Sequence, residues 1–160
     1  MGKISNGLVV FAGVVSLPIS ATHADTAKPK MAEYRTDPRL VSLRNFFAHS
    51  NCPAGELSHI FLEASDANSL DWRLLPSISF IESTGGKAAR NNNLFGWDSG
   101  RAAFSSAAAS IYSVAFSLAN SVLYRDKDTD GILKTYNPNP DYGRKVKWVM
   151  RRIAPSEIVD

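Results

Sequence analysis

The segment from Leu74 to Glu82 constrains the fold more than any other part of this chain. Its apolar residues would cover nearly the whole circumference of a helix: Leu74, Leu75, Ile78, Phe80 and Ile81. A helix that is apolar on nearly all sides belongs in the interior of a protein. Gly85 and Gly86 follow closely, and glycine commonly ends a helix. The sequence therefore predicts a buried central helix that carries one carboxylate, Glu82, at its C-terminal end.

Five other segments show helical signals, with apolar side chains recurring at spacings of three and four residues. These helices follow Asp37-Pro38, cover Glu56 to Asp66, run from Ser105 or Ser106 to about Asn120, cover Ile132 to Tyr136, and follow Asn139-Pro140. The predicted apolar faces of the first, third and last of these helices are, in order, Leu40, Val41, Leu43, Phe46 and Phe47; Ile111, Val114, Ala115 and Leu118; and Tyr142, Val146, Val149, Met150 and Ile153. Within the central helix, Pro76 requires either a start later than Asp71 or a bend. Residues 84–104 are rich in Gly and Asn and lack periodic spacing, which predicts an irregular loop. With no alternating strand pattern of any length, we expect a mostly α-helical single domain over residues 37–160.

The first 24 residues have the pattern of an export signal. Lys3 supplies a basic start, Leu8 to Ile19 is a nearly continuous apolar run, and Ala21-Thr22-His23-Ala24 offers a small-residue cleavage site. The apolar run is shorter than the roughly 20 residues that a spanning helix needs. We expect cleavage after Ala24, a loose segment over residues 25–36, and a secreted or periplasmic product. The alternative is an uncleaved signal anchor.

Charge and cysteine content exclude some classes of function. Loss of residues 1–24 removes only Lys3 from the charged residues and lowers the net charge from +3 to +2. Such a weakly basic chain suits contact with an anionic cell wall and does not call for nucleic acid. Cys52 is the single cysteine, so an internal disulfide is impossible. We expect a buried free thiol, with a disulfide-linked dimer as the alternative.

Glu82 is the candidate general acid. The C-terminal end of a helix carries partial negative charge, and packing near Phe80 and Ile81 would remove water from the carboxyl group. Both effects favour the protonated form, which is the form that can protonate a leaving glycosidic oxygen. The alternative is an exposed glutamate that simply ends a helix.

The loop after Glu82 carries groups that bind sugars. Asn92 and Asn93 offer amide donors and acceptors for hydroxyl and acetamide groups. Trp97 offers a broad ring and an N–H group. Phe95 is a second apolar candidate for contact with a substrate, although packing in the core explains it more simply.

Tyr136-Asn137-Pro138 precedes the last helix and supplies two more candidates. The hydroxyl of Tyr136 can donate to a carboxylate or to an N-acetyl group, and Asn137 can orient it. A turn in which Tyr136 closes the core explains the same residues equally well.

These motifs together resemble glycoside hydrolase family 73, the N-acetylglucosaminidase branch of the lysozyme-like superfamily. The resemblance rests on Glu82-Ser83 after an apolar helix, the Asn-Asn-Leu-Phe-Gly sequence at 92–96, and Tyr136-Asn137-Pro138, and it extends from about residue 41 to residue 153. The order of the motifs is also similar to that of lytic transglycosylases. The resemblance implies a lysozyme-like domain, cleavage of β-1,4 bonds in peptidoglycan, Glu82 as general acid and Tyr136 as its partner. Trp97 stands where the family usually has a smaller apolar residue, so its role in sugar binding is inferred from the ring alone.

The second carboxylate of a glycosidase is the main departure from the usual pattern. A retaining enzyme places it about 5 Å from the first, and an inverting enzyme up to about 9.5 Å away. Near the loop amides, the sequence offers only Asp98, which can hold a water molecule or simply cap a turn. Without it, the N-acetyl group of the substrate can assist, and Glu82 then acts first as acid and later as base.

Asp126, Asp128 and Asp130, followed by Gly131, match the first half of a calcium-binding EF-hand loop. The twelfth position should be a bidentate Glu, and here it is Asn137. We therefore expect no metal, with calcium as the alternative.

Three functions remain open. The first is an exported endo-β-N-acetylglucosaminidase acting on peptidoglycan, with lytic transglycosylation as its variant. The second is a cell-wall binding module that has lost turnover, and the third is an enzyme for another N-acetylated glycan such as chitin. For the first and third we expect a monomer that needs no cofactor.

Overall fold

The computed structural model describes residues 34–155, and the predicted export signal lies outside them. Within this range the chain forms six α-helices and one 3-10 helix and no β-strand. The helices are α1 (Pro38–His49), the 3-10 helix (Pro53–Leu57), α2 (Ser58–Ala67), α3 (Leu74–Ser83), α4 (Ala107–Asn120), α5 (Thr129–Tyr136) and α6 (Pro140–Ile153). The predicted mostly helical fold is confirmed.

The central helix α3 has the buried character that its sequence predicts. Leu74, Leu75 and Ile78 are fully buried, and the helix packs most extensively against α6. It begins at Leu74, later than Asp71, so Pro76 falls at its third residue. The first four N–H groups of a helix have no partner inside it, so a proline there costs no hydrogen bond. The helix therefore needs no bend.

Helices α4 and α6 begin where their capping residues predict. Ser106 Oγ accepts a hydrogen bond from Ala109 N at 3.0 Å, and Asn139 Oδ1 accepts one from Asp141 N at 2.9 Å. Each bond satisfies one of the free N–H groups at a helix N-terminus, which is worth about 1 kcal/mol. The apolar stripes predicted for both helices are buried: Ile111, Val114, Ala115 and Leu118 in α4, and Tyr142, Val146, Val149, Met150 and Ile153 in α6.

Two local predictions were wrong. Val41 is exposed although its neighbours Leu40 and Leu43 are buried, because the apolar stripe of α1 is narrower than the sequence suggests. The predicted helix from Glu56 to Asp66 is two elements, since Pro53 opens the 3-10 helix and α2 starts only at Ser58.

The core joins α1, α2 and the turn after α3. Phe47 and Phe61 are fully buried and stack at 5.7 Å between ring centroids, and burying each ring contributes about 1.5–3 kcal/mol. Cys52 is a buried free thiol, as expected. A side chain on Gly85 would place its Cβ only 2.8 Å from Cys52 Cβ, and Gly85 also has a φ of +58°, so the chain requires glycine there.

The end of the predicted loose segment is attached to the domain. Tyr34 donates a hydrogen bond to Asp66 at 3.0 Å, and Arg39 bridges Asp37 and Asp66. Burial, followed by the hydrogen bond to Asp66, raises the pKa of Tyr34 to about 12. Tyr34, near the end of the predicted loose segment, is thus held against the domain. Among the described helices, none is both long and apolar enough to cross a membrane.

Candidate functional site

Glu82 occupies the predicted place at the end of α3, but in a different environment. The helix ends at Ser83, and Thr84 caps it in the left-handed conformation with a φ of 53°. Glu82 itself is exposed. Phe80 and Ile81 therefore do not enclose Glu82 as the sequence predicts, because its side chain leaves the helix on the solvent side.

The Glu82 carboxylate lies against the backbone of the loop. A Cβ on Gly96 would lie 2.9 Å from Oε2 of Glu82, and Gly96 has a φ of +61°. Glycine is required here for two reasons, the left-handed backbone and the close approach of the carboxylate. The Gly96 of the Asn-Asn-Leu-Phe-Gly sequence is thus a neighbour of the candidate acid.

Ser83 ties this loop to the end of α3. Its buried hydroxyl lies 2.8 Å from Leu94 O and 3.0 Å from Ser79 O, and it accepts a hydrogen bond from Gly86 N at 3.0 Å. Ser83, the residue after Glu82, consequently fixes the position of the loop relative to the end of α3.

Asn93 organises the loop from inside. It is only 4% exposed. Its Nδ2 donates to Trp97 O at 3.0 Å and to Ala102 O at 3.2 Å, while its Oδ1 accepts from Phe95 N at 3.3 Å and from Trp97 N at 2.9 Å. Both donors and both acceptor sites of the amide are used, so Asn93 has no polar atom free for a substrate.

The other loop candidates differ in exposure. Phe95 is fully buried and belongs to the core. Asn92 is exposed, and its Nδ2 donates to Phe104 O at 2.9 Å. Asn137 is half-buried and accepts from Asn139 N at 3.0 Å. Asn92 and Asn137 each keep polar atoms that the protein does not use.

Tyr136 is close to Glu82 and mostly enclosed. Its hydroxyl donates a short hydrogen bond to Phe95 O, so its proton points at the loop backbone. Burial, then the charge of Glu82, then Tyr124 raise the pKa of Tyr136 well above its usual range. The hydroxyl therefore stays protonated at any physiological pH, and its hydrogen bond to Phe95 O connects α5 to the loop.

Tyr142 is a site residue that the sequence analysis placed only in the core. Its ring stacks on Tyr136 at 5.8 Å with 6° between the planes. Burial, then the charge of Glu82, raise the pKa of Tyr142 far above its usual range. The hydroxyl is close to the Glu82 carboxylate, yet among the described residues it has no hydrogen-bond partner of good geometry.

A depression of about 440 Å³ opens on one side of Glu82. Its lining includes Gly96, Trp97, Asp98, Leu123, Tyr124 and Tyr136. The Trp97 ring is half-buried and packs on Tyr124 at 6.1 Å and on Tyr136 at 5.8 Å. Aromatic edges and faces of this kind suit the apolar faces of sugar rings.

Asp98 lies at the rim of that depression. It is exposed, has a φ of 53°, and pairs with Arg101 at 2.7 Å. The hydrogen bond from Arg101 lowers the pKa of Asp98, which keeps this carboxylate ionised. Its place in the lining beside Gly96 is the structural basis for a role near Glu82.

A second depression, of about 560 Å³, lies along α6. Ile81, the residue before Glu82, lines one wall, and Asp141 and Trp148 of α6 line the other. Trp148 is 54% exposed, with the Arg152 guanidinium 5.5 Å from its ring centroid. Each of the two depressions thus contains a tryptophan and a residue next to Glu82: Gly96, whose backbone lies against the carboxylate, in the first, and Ile81 in the second.

Two carboxylates of the calcium motif have different partners within the protein. Asp128 caps α5 by accepting from Gly131 N at 2.8 Å, and Asp130 pairs with Lys147 at 2.7 Å. Residues 34–155 contain no group of three or more His, Cys, Asp or Glu side chains arranged to hold a metal ion. Helix α5 begins at Thr129, inside the motif.

The sequence analysis did not identify three aromatic residues as part of the site: Tyr124, Tyr142 and Trp148. Tyr142 was assigned to the core stripe of α6, and only the packing of α6 on α3 brings its hydroxyl to Glu82. The signal for Trp148 was present, because a tryptophan interrupts the basic face of α6 between Lys147 and Arg151.

Comparisons of the chain with protein-family models, with curated proteins and with solved structures gave no match. The function proposed below therefore rests on the sequence motifs and on the geometry around Glu82.

Proposed function

We propose that this protein is an exported peptidoglycan hydrolase with a lysozyme-like domain, cleaving β-1,4 glycosidic bonds at N-acetylglucosamine. The observation that carries the proposal is that Tyr136 and Tyr142 lie close to the Glu82 carboxyl group, and that two of its neighbours, Gly96 and Ile81, each line a depression with a tryptophan. In this proposal the glycan occupies both depressions and its scissile bond lies at that carboxyl group.

Glu82 is the general acid. A bound glycan would cover its exposed carboxyl group and exclude water from it. The proton then passes from Glu82 to the glycosidic oxygen as the bond between that oxygen and C1 breaks. Tyr136 contributes by fixing the loop around Gly96, since its own proton is held by Phe95 O.

Two routes complete the reaction. In the first, Asp98 orients a water molecule that attacks C1. In the second, the carbonyl oxygen of the substrate's N-acetyl group attacks C1, and Glu82 later takes a proton from the water that opens the intermediate. The exposed ion pair of Asp98 with Arg101 favours the second route. If a hydroxyl of the sugar itself replaces water, the same steps give lytic transglycosylation.

Incubation of the mature protein with purified peptidoglycan, followed by mass analysis of the fragments, tests the proposal. We expect reducing N-acetylglucosamine ends, and a loss of roughly 10²-fold or more in rate for Glu82→Gln, the usual size of a general-acid contribution. Glu56→Gln is the matched control, because Glu56 is also exposed and lies in the 3-10 helix. Equal digestion by Glu82→Gln and wild type contradicts the assignment, and anhydro-sugar ends identify a transglycosylase.

A non-catalytic wall-binding module is the second candidate. The exposure of Glu82 in the free protein favours it, since a binding site needs no protonated acid. In that case neither protein releases fragments, and the wild type and Glu82→Gln sediment equally with the wall.

A further inference from the structure

Helix α4 and the turn after it form a surface without charged residues. Residues 102–124, between Arg101 and Arg125, contain no Asp, Glu, Lys or Arg, and this range includes the whole of α4. Every other α-helix in residues 34–155 contains at least one charged residue. The outward side of a surface helix is normally polar and charged, so α4 departs from the usual pattern on the side that faces water.

Large apolar side chains are concentrated on this surface. Of the six that are exposed among residues 34–155, four lie here: Tyr112, Phe116, Val122 and Leu123. Tyr112 and Phe116 are four residues apart and therefore share one face of α4. Val122 and Leu123 are the two central residues of a turn that Tyr124 N closes on Ser121 O at 3.0 Å. We call these four residues the α4 patch.

The α4 patch is large enough for the core of a small protein interface. Its side chains are 40% (Tyr112), 62% (Phe116), 81% (Val122) and 59% (Leu123) exposed. With about 150–200 Å² for each fully exposed side chain, they leave roughly 400 Å² in contact with water. The largest apolar patch of a typical monomer covers about 300–600 Å² and is often functional. A standard interface covers about 800 Å² on each partner, so we expect a weak complex.

Two other occupants of the α4 patch fit poorly. A helix that lies on a membrane surface carries Lys and Arg beside its apolar side chains, and residues 102–124 have none. The predicted mature N-terminal segment before the domain is also unsuitable, because four of residues 25–33 are charged: Asp25, Lys28, Lys30 and Glu33. Covering an uncharged apolar surface with that segment would remove water from charges that have no partner there.

A second copy of this chain fits the patch for an electrostatic reason. Most homodimers have twofold symmetry, so that the same surface of both copies meets itself. A charged side chain near the axis then faces the same charge on the other copy, which costs free energy. A surface that is apolar and free of charge avoids this cost. Glu63 of α2, beside the patch, is hydrogen-bonded to the Tyr112 hydroxyl, which anchors the Tyr112 ring on α2.

We propose that two copies of this protein associate through the α4 patch and form a weak twofold dimer, in place of the monomer that the sequence predicts. The proposal does not involve Glu82 and is independent of the proposed function. Leu123 also lines the depression that contains Trp97. The second copy therefore borders that depression, and association limits access to it from the side of Leu123.

Sedimentation velocity of the mature protein, from about 1 μM to about 1 mM, measures the association. A thiol reductant is present throughout, so that a disulfide between two Cys52 side chains cannot link the copies. We expect the sedimentation coefficient to rise with protein concentration toward that of a dimer. Added salt should not weaken the association, because screening acts on charges and the patch has none.

Two variants place a charge in the patch: Phe116→Asp and Val122→Asp. Each should raise the dissociation constant of the dimer at least about tenfold, since the new carboxylates of the two copies approach each other. Val122 lies outside the helices, so Val122→Asp still carries the test if circular dichroism shows that Phe116→Asp is unfolded. Val41→Asp is the matched control, because Val41 is 55% exposed and belongs to α1. It should associate like the wild type.

Several results would overturn the proposal: a wild type that stays monomeric over the whole concentration range, unchanged association in both patch variants, or equal weakening by Val41→Asp. Monomeric protein that floats with neutral phosphatidylcholine vesicles, and loses this binding in Phe116→Asp, would assign the patch to a lipid surface instead. Glu82→Gln should form the dimer like the wild type. Failure to cleave peptidoglycan would therefore contradict the proposed function alone, and failure to dimerise would contradict the α4 interface alone.

Discussion

The tryptophans of the two depressions, Trp97 and Trp148, differ in how much they pack against the rest of the protein. Trp97 is half-buried, packs on Tyr124 and Tyr136, and has its backbone held on both sides by Asn93. Trp148 projects from α6 into water, with only Arg152 against its ring among the aromatic and cationic contacts of the described residues. The tryptophan of the first depression is thus part of the packed structure. The tryptophan of the second lies on the exposed side of α6, and the opposite side of that helix packs in the core.

Truncating each tryptophan gives the largest expected contrast. Trp97→Ala should lower the free energy of unfolding by about 2–4 kcal/mol, because it empties a packed aromatic cluster. Trp148→Ala should lower it by less than about 1 kcal/mol, since only an exposed cation–π contact is lost. Urea denaturation of the two variants measures both values. Similar losses at the two positions would show that the depressions do not differ in this way.

A substitution at Gly96 would test the Trp97 depression in another way, because it should displace the Glu82 carboxylate and leave both tryptophans in place. Gly96→Ala should destabilise the protein by about 1–2 kcal/mol, because alanine is strained at positive φ. It should also displace the Glu82 carboxylate and reduce the rate of peptidoglycan cleavage by more than tenfold, since small misplacements of a reacting group cost about two orders of magnitude. Gly100→Ala is the control, as Gly100 has a φ of +80° but no atom within 4 Å of an added Cβ. Equal cleavage by these two variants would mean that Gly96 does not position the acid.

The smallest expected effect concerns pH, through Tyr136, which packs on Trp97, and Tyr142, which stacks on Tyr136. The pKa values of Tyr136 and Tyr142 are raised from an ordinary 10.0, so the folded protein holds protons that the unfolded chain releases near that pH. Their contribution is complete below about pH 10 and is lost as pH rises further, because ionisation then favours the unfolded chain. Tyr142→Phe should make the fall in urea stability between pH 9 and pH 11 shallower (both values are about the ordinary tyrosine pKa). An unchanged slope would indicate that Tyr142 titrates normally.

Much of the fold could be predicted from local signals. Ser106 and Asn139 cap the helices that they were expected to cap, since a capping side chain bonds only to the next two or three residues of its own chain. The buried stripes of α4 and α6 followed from spacing alone. Pro76 left two alternatives for α3, a start later than Asp71 or a bend, and the helix starts at Leu74.

The site was less predictable because its contacts join distant parts of the chain. Glu82 was expected to be buried from its neighbours in sequence, but its exposure depends on where α3 ends relative to α6. Asn93 was assigned to the substrate from its residue type, while four hydrogen bonds within the loop occupy it. Tyr142 was identified as a core residue, and no local pattern reveals that its hydroxyl reaches Glu82.

The hydrogen bonds of Ser83 divide the loop after α3 into a part that cannot change in length and a part that can. The Ser83 hydroxyl holds both ends of residues 86–94, through Gly86 N and Leu94 O, so an insertion there would displace the neighbouring Glu82. The tip at 98–101 lies beyond both anchors and is wholly exposed. Lengthening or shortening that tip would reshape the mouth of the Trp97 depression while Glu82 keeps its place, so under the proposed function the tip is where polymer preference could be altered without moving the acid.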